Sequence, residues 1–233
     1  MSTKALEYLR KNAMFHVSII FPIERGTAEI IYAGDDGVFI KDSVSSAYML
    51  TTEDEALAKK LLDDAGRRAL FCVFQKPSAD YLMEKFEYNN MTENFQAVYL
   101  SEKPVVVSPT DLDIRTLGTE WQDRLFEHYH DDVDYDYLGR RLRDRAIYGG
   151  FIGDELCGFV GSHEEGSIGI LKVLEKYRRR GFAAVLEGHM INIFLEKGDL
   201  PFAQVNPSNE ASLKLHKKLG FELSRERLYW LFD

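Results

Sequence analysis

Cysteine is scarce in this chain: Cys72 and Cys157 are the only two in 233 residues, and both sit inside apolar runs. That excludes a disulfide-stapled framework and reads as buried free thiols in a reducing compartment. The N-terminus lacks the apolar stretch of a signal peptide, and no apolar run approaches the length that crosses a bilayer. The expected location is therefore cytoplasmic, with no membrane partner. Positive charge is in deficit, with 29 Lys and Arg against 38 Asp and Glu, a net charge of −9. Non-specific nucleic-acid binding draws on many cations against phosphates, so nucleic acid is not an expected partner. The six histidines are scattered, which leaves a metal hydrolase without a ligand set, and no metal is expected. What remains is an ordinary globular composition, 45% hydrophobic and 29% charged, with core enough for one large domain or two small ones.

Residues 4–11 read as a short helix, and Phe15 to Phe21 as an apolar, β-prone run. Glu29 to Tyr32 and Val38 to Ile40 flank Gly34-Asp35-Asp36-Gly37, which predicts a hairpin. Ala47 to Leu50 is a third strand. Thr52 with Glu55 three residues on makes a capping-box pattern ahead of Leu57, Leu61 and Leu62, a helix ending near Gly66. Ala69 to Phe74 is a strand, Ser78 a cap for a helix carrying Tyr81, Leu82 and Phe86, and Phe95 to Leu100 another strand. Ser101 to Asp111, with Pro104 and Pro109, reads as a linker between two halves. Beyond it come a strand at Leu112 to Leu117, a helix through Trp121, Leu125 and His128, and a second from Tyr137 to Arg145. Gly149 to Ile152 and Leu156 to Gly161 flank the tight turn Gly153-Asp154-Glu155.

The stretch from Ile168 to His189 organises the second half. Ile168 to Val173 is a β-branched apolar run, Leu174 to Tyr177 a polar turn, and Arg178-Arg179-Arg180-Gly181-Phe182-Ala183 opens a helix. Phe182, Leu186, Met190 and Ile193 recur at helical spacing, and Gly198 ends the element. Three arginines at the positive end of a helix dipole are unfavourable unless an anion joins them. Free N–H groups plus guanidinium forks make a phosphate site, and Gly181 lets a ligand approach the main chain. The same arginines would also serve as a solvated basic turn on an acidic protein. Pro201 to Val205 is then a strand, Asn206-Pro207-Ser208-Asn209 a turn, and Ala211, Leu215 and Leu219 the stripe of a last helix before strands at Phe221 to Leu223 and Leu228 to Phe232.

This stretch resembles the acyl-CoA-binding motif of the GCN5-related N-acetyltransferase (GNAT) superfamily: a strand ending in Val, a five- or six-residue loop, then R/Q-x-x-G-x-G/A. Arg178, Gly181 and Ala183 match it in register. Asn206 through Phe221 resembles a second motif, N-x-x-(A/S)-x-x-L-(Y/H)-x-x-x-G-F, with Asn209, Ser212, Leu215, His216, Gly220 and Phe221 in place. The resemblance covers about residues 111–233 and extends to the order of elements. It implies an α/β (α+β) protein with a central mixed sheet and helices on both faces. Residues 1–105 form a smaller α/β half that weakly echoes it. If that half is a copy, it has lost the cofactor site, because nothing between Leu50 and Asp54 resembles a phosphate loop. Such a layout resembles glycine N-acyltransferase-like and FR47-like proteins.

The resemblance implies an N-acyltransferase using acetyl-CoA, or another acyl-CoA, as co-substrate and a small-molecule amine or amino acid as acceptor. Leu171 and Val173 would bind the pantetheine arm through their main chain. N–H groups from Arg179 to Ala183, Phe182 included, would cradle the pyrophosphate, with Arg178 and Arg180 adding charge. His216 falls where relatives often carry the tyrosine that protonates the departing sulfur; it is either that donor or a helix-face residue. Glu164 and Glu165 are candidates for the amine's base, or for a charged hairpin turn. Lys172 stands where relatives often show a carboxylate. Asn209 is a cap, a cofactor contact, or both. Asp131, Asp132, Asp134 and Asp136, interleaved with Tyr129, Tyr135 and Tyr137, form either an amine-attracting border or a solvated loop. The competing function is a CoA-binding regulator without turnover. The sequence leaves acceptor and oligomeric state open, a homodimer included.

Overall fold

The computed structural model describes residues 1–107, 111–130 and 133–233. In chain order the elements are α1 (Ser2–Leu9), α2 (Val17–Arg25), β1 (Ala28–Ala33), β2 (Gly37–Asp42), β3 (Tyr48–Thr52), α3 (Glu55–Ala65), β4 (Leu70–Val73), α4 (Lys76–Phe86) and β5 (Asn90–Val98). There follow β6 (Asp113–Thr116), α5 (Gln122–Tyr129), α6 (Tyr135–Arg143), β7 (Ile147–Ile152), β8 (Glu155–Ser162), β9 (Ile168–Val173), α7 (Phe182–Lys197), β10 (Phe202–Val205), α8 (Glu210–Leu219), β11 (Glu222–Leu223) and β12 (Leu228–Phe232). They fall into two compact units, one of residues 1–98, 204–213 and 223–233, the other of 99–203 and 214–222. Among the described residues no helix is long and apolar enough to cross a membrane.

In the first unit the strand order is β1-β2-β3-β4-β12-β5. β3 and β4 are parallel, while β12 runs antiparallel to both β4 and β5. Alternate residues of a strand face opposite sides, and both sides here are covered. Val38, Ile40, Met49, Cys72 and Leu228 bury against Leu9, Ile19 and Ile23 of α1 and α2. Phe39, Leu50, Phe71, Val73, Tyr229 and Leu231 bury against Leu62, Ala79 and Leu82 of α3 and α4. The last strand of the chain thus fills both cores of the unit that begins it.

Three local expectations change here. The apolar run at Phe15 to Phe21 is mostly helical: α2 begins at Val17 and ends on Gly26, which takes a left-handed φ of 78°. A short apolar run cannot by itself be told apart as buried strand or buried helix, and packing of Ile19, Ile20 and Ile23 in one core decides it. α3 is capped by Asp54, whose carboxylate accepts the Ala56 and Leu57 N–H groups at 2.9 and 3.0 Å. Thr52 is unavailable for that task, since it ends β3 and its hydroxyl donates to the Asp36 carbonyl at 2.6 Å. α4 starts before Ser78, at Lys76, with Pro77 in the first turn, where proline's missing N–H costs nothing.

In the second unit the strand order is β10-β9-β8-β7-β6. β6 to β9 are antiparallel neighbours, and β10 joins β9 in parallel, so β9 is paired on both sides. Leu125 of α5 and Leu138 and Leu142 of α6 pack on Phe151, Phe159 and Ile170. α7 covers the opposite face, with Phe182 against Cys157 and Leu186 close over Gly158. The result is a mixed sheet with helices on both faces. α7 is buried beyond a single stripe: Ala184, Glu187, Gly188 and Ile191 are buried as well. The segment expected as a linker lies across it. The Val105 N–H donates to Asn192 Oδ1 at 2.8 Å, Asn192 Nδ2 donates back to the Val105 carbonyl at 3.1 Å, and Val107 crowds Gly188.

Candidate active site

The second unit's site grows from a fault in β9. Phe159 pairs with Lys172 and Gly161 with Gly169, so β9 holds one residue more than β8 between these pairs. That extra residue is a β-bulge. Within it Ile170 adopts a φ of 52°, strained for a β-branched side chain. β9 is registered with β10 at Ile168 and Ala203, ahead of the bulge. Beyond it, the Leu174 N–H donates to the Cys157 carbonyl of β8 at 2.9 Å. Main-chain groups alternate sides along a strand, so those of Val173, and of Leu171 two residues earlier, turn away from β8. The Val173 carbonyl instead accepts Arg178 Nε at 3.3 Å.

A single helical turn, Glu175–Tyr177, carries the chain from β9 to α7. Tyr177 is buried and packs on Phe182, and the Arg180 guanidinium lies over both rings, 5.8 and 4.8 Å from their centres. Arg178, Arg179 and Arg180 are exposed. Arg179 and Gly181 take left-handed φ values of 64° and 84°. Gly181 is the N-cap of α7, and among the described residues no side chain caps that end. The first-turn N–H groups, those of Phe182 and Ala183 among them, therefore sit at the positive end of a 16-residue helix beneath three cations. Among the described residues, a Cβ at Gly181 would meet nothing within 4 Å. These features fit a diphosphate.

The proton-handling candidates occupy different surroundings. Glu164 accepts Arg140 Nε at 2.9 Å and its side chain is 13% exposed. Glu165 is buried and accepts the Ser167 hydroxyl. His216 is buried on α8, its Nε2 2.8 Å from Glu187 Oε1 of α7 and its ring edge-on to Phe221. Asn209 caps α8, its side-chain oxygen accepting the Ser212 N–H at 3.1 Å. Of the acidic run, Asp131 and Asp132 lie outside the described residues. Asp134 caps α6 through the Tyr137 N–H at 2.7 Å, and Tyr135 donates to Asp123 at 2.5 Å. Lys172 lies over the Tyr129 ring, 5.8 Å from its centre.

Two pairs escaped sequence reasoning. Glu187 sits in an otherwise apolar stretch of α7; such a carboxylate needs a buried partner, and His216 is it. The Tyr137 hydroxyl lies 2.7 Å from His163 Nδ1, across 26 residues of chain. Burial, and then the nearby Glu165 carboxylate, push the Tyr137 phenol well above its usual range, so it stays protonated. The one hint in the sequence was Gly169, a glycine inside a strand, which marks a close approach.

The FR47-like protein family model matches residues 148–231, which span the bulged strand, the arginine loop and α8. An N-acetyltransferase of Bacillus subtilis strain 168 described as uncharacterized, YdfB, is 23% identical over 144 residues, 62% of this chain and 54% of that protein. The chain thus spans about half the length of that curated relative. A Drosophila protein of known X-ray structure superposes with a TM-score of 0.72 at 15% identity, covering 100% of this chain and 95% of that one. A GCN5-related N-acetyltransferase from Kribbella flavida superposes with a TM-score of 0.58 at 13% identity, covering 94% and 95%. Both structural likenesses concern the fold. Over residues 148–231 the chain resembles FR47-like proteins, and its fold is that of GCN5-related N-acetyltransferases.

Proposed function

We propose that this chain is an acyl-CoA-dependent N-acyltransferase that moves an acetyl group from acetyl-CoA to a primary amine of a small molecule or amino acid. One observation carries the reading: main-chain groups of β9 that β8 does not use lead directly into an uncapped helix N-terminus under three arginines. A pantetheine arm hydrogen-bonds like an extended peptide, and a diphosphate seeks such a helix end. In this reading Leu171 and Val173 hold the arm through their main chain. The Val173 N–H faces the thioester oxygen and stabilises the charge that develops there. N–H groups from Arg179 to Ala183 take the diphosphate, with Arg178 and Arg180 beside it. The amine attacks the thioester carbon directly, the C–S bond breaks as the resulting tetrahedral adduct collapses, and the thiolate leaves with a proton. In this reading residues 111–233 carry the acyl-transfer site, and residues 1–105 hold no CoA site of their own.

The test is release of the CoA thiol from acetyl-CoA in the presence of pooled amines and amino acids. Release that depends on one acceptor, with one CoA bound per chain by calorimetry, is expected. Binding without release from any acceptor would instead favour a CoA-responsive regulator.

His216 serves in this reading as the thiolate's proton donor, with Glu187 fixing the ring. Replacing His216 alone leaves the Glu187 carboxylate buried and unpartnered, at about 3–5 kcal/mol. The informative protein is therefore the double variant His216→Phe/Glu187→Leu, which removes both polar members. Its kcat is expected to fall by at least about tenfold at unchanged CoA affinity. A kcat within about twofold of the parent would make the pair a packing device between α7 and α8.

A further inference from the structure

We propose that His163 is the base that takes the acceptor amine's proton, held in place over Gly169 by the Tyr137 hydroxyl. The inference rests on the acyl-transfer reading above. It begins with strand register. Phe159 pairs with Lys172 and Gly161 with Gly169, so these residues share one face of the sheet. Phe159 is buried against α5 and α6, which identifies the face. His163 follows Gly161 by two residues and returns to that same face beneath α6. There its Nδ1 meets Tyr137. Its other nitrogen, Nε2, lies 2.4 Å from the point where a Cβ at residue 169 would stand. The imidazole thus occupies a slot that glycine leaves on β9, one residue before the bulge at Ile170.

A base needs a lone pair, a fixed orientation and access. The Tyr137 oxygen can accept from Nδ1–H, which leaves the lone pair on Nε2 over the strand. Orientation comes from that contact and from the turn that holds the residue, where the His163 N–H donates to the Ser167 carbonyl at 2.8 Å. His163 as a residue is partly exposed, in contrast to buried Glu165. The two carboxylates of the hairpin are otherwise engaged, Glu164 by Arg140 and Glu165 by Ser167. The charged and titratable groups tied to this pair are Tyr137 itself, the Glu165, Glu164 and Arg141 charges that act on its phenol, and Arg140, which holds Glu164. Arg141 is itself occupied by Asp144 and the Ser162 carbonyl, each at 2.8 Å.

The step balances simply. As the amine nitrogen bonds to the thioester carbon, its N–H proton passes to Nε2 and the carbonyl electron pair moves to oxygen. That pair returns as the C–S bond breaks, and the imidazolium later yields its proton to water.

The experiment measures kcat/KM against pH for the parent, His163→Gln and Tyr137→Phe, with CoA affinity and melting temperature taken alongside. The parent should lose activity at acid pH as a base protonates. His163→Gln should lose about a hundredfold or more and lose the acid limb, at unchanged CoA affinity. Tyr137→Phe should fall less and move the limb. Gly169→Ala provides a check that leaves the imidazole intact: its methyl must displace Nε2, so activity should drop while the fold and CoA affinity hold. Activity within about threefold of the parent in His163→Gln, or an unchanged acid limb, overturns the proposal and leaves acyl transfer standing. Absence of CoA release from the parent with every acceptor overturns both.

Discussion

Gly181→Asp is expected to abolish CoA binding while leaving the protein folded. Two properties of the site separate these effects. Among the described residues nothing lies within 4 Å of a Cβ at Gly181, so the new Cβ meets no clash. The backbone there has φ 84°, a conformation that costs a residue with a Cβ about 1–2 kcal/mol. A carboxylate at the start of α7 recovers part of that cost, because acidic groups favour helix N-termini. The same carboxylate then takes the donors offered to phosphate and repels its charge. Affinity should fall by at least about a hundredfold, near 2.8 kcal/mol, with a small change in melting temperature. Gly181→Asn, similar in shape and neutral, should lose much less. CoA affinity kept within about threefold, roughly 0.6 kcal/mol, would remove the loop from the site.

A fragment of residues 1–105 is expected not to fold on its own. Of the order β1-β2-β3-β4-β12-β5 it would lack β12, which lies between β4 and β5 and pairs with both. Without it two ladders lose a side each, and both cores lose their share of Leu228, Tyr229 and Leu231. Truncating one buried Leu to Ala costs about 2–5 kcal/mol, and a whole domain is stable by only about 5–15 kcal/mol. Losing three such residues and the hydrogen bonds of a central strand exceeds that margin. Circular dichroism should show no cooperative thermal transition for the fragment and a clear one for the full chain. In the full chain, Leu231→Ala should lower stability by about 2–5 kcal/mol in a denaturant titration. A cooperative, native-like fragment would show that β12 is dispensable to this unit.

What the sequence determined by itself was whatever a few neighbouring residues decide. The hairpins at Gly34 to Gly37 and Gly153 to Glu155, the strand from Ile168 to Val173, the arginine loop and the helix ending at Gly198 all rest on local apolar period and on glycines placed where the backbone turns. The candidate CoA loop was legible for that reason: its parts lie within one short stretch. Tertiary structure decided the rest, because burial and pairing join residues far apart in the chain. It made α2 a helix out of an apolar run that suited a strand equally well. It seated β12 among strands that precede it by more than a hundred residues, and bound Val105 to Asn192 where a loose linker was expected. It set the bulge at Ile170, which exists only relative to its neighbour β8. It also joined Glu187 to His216 and Tyr137 to His163, polar residues whose partners no spacing rule could name. A buried polar group must find a partner, but the sequence states only the need; the fold chooses which residue meets it.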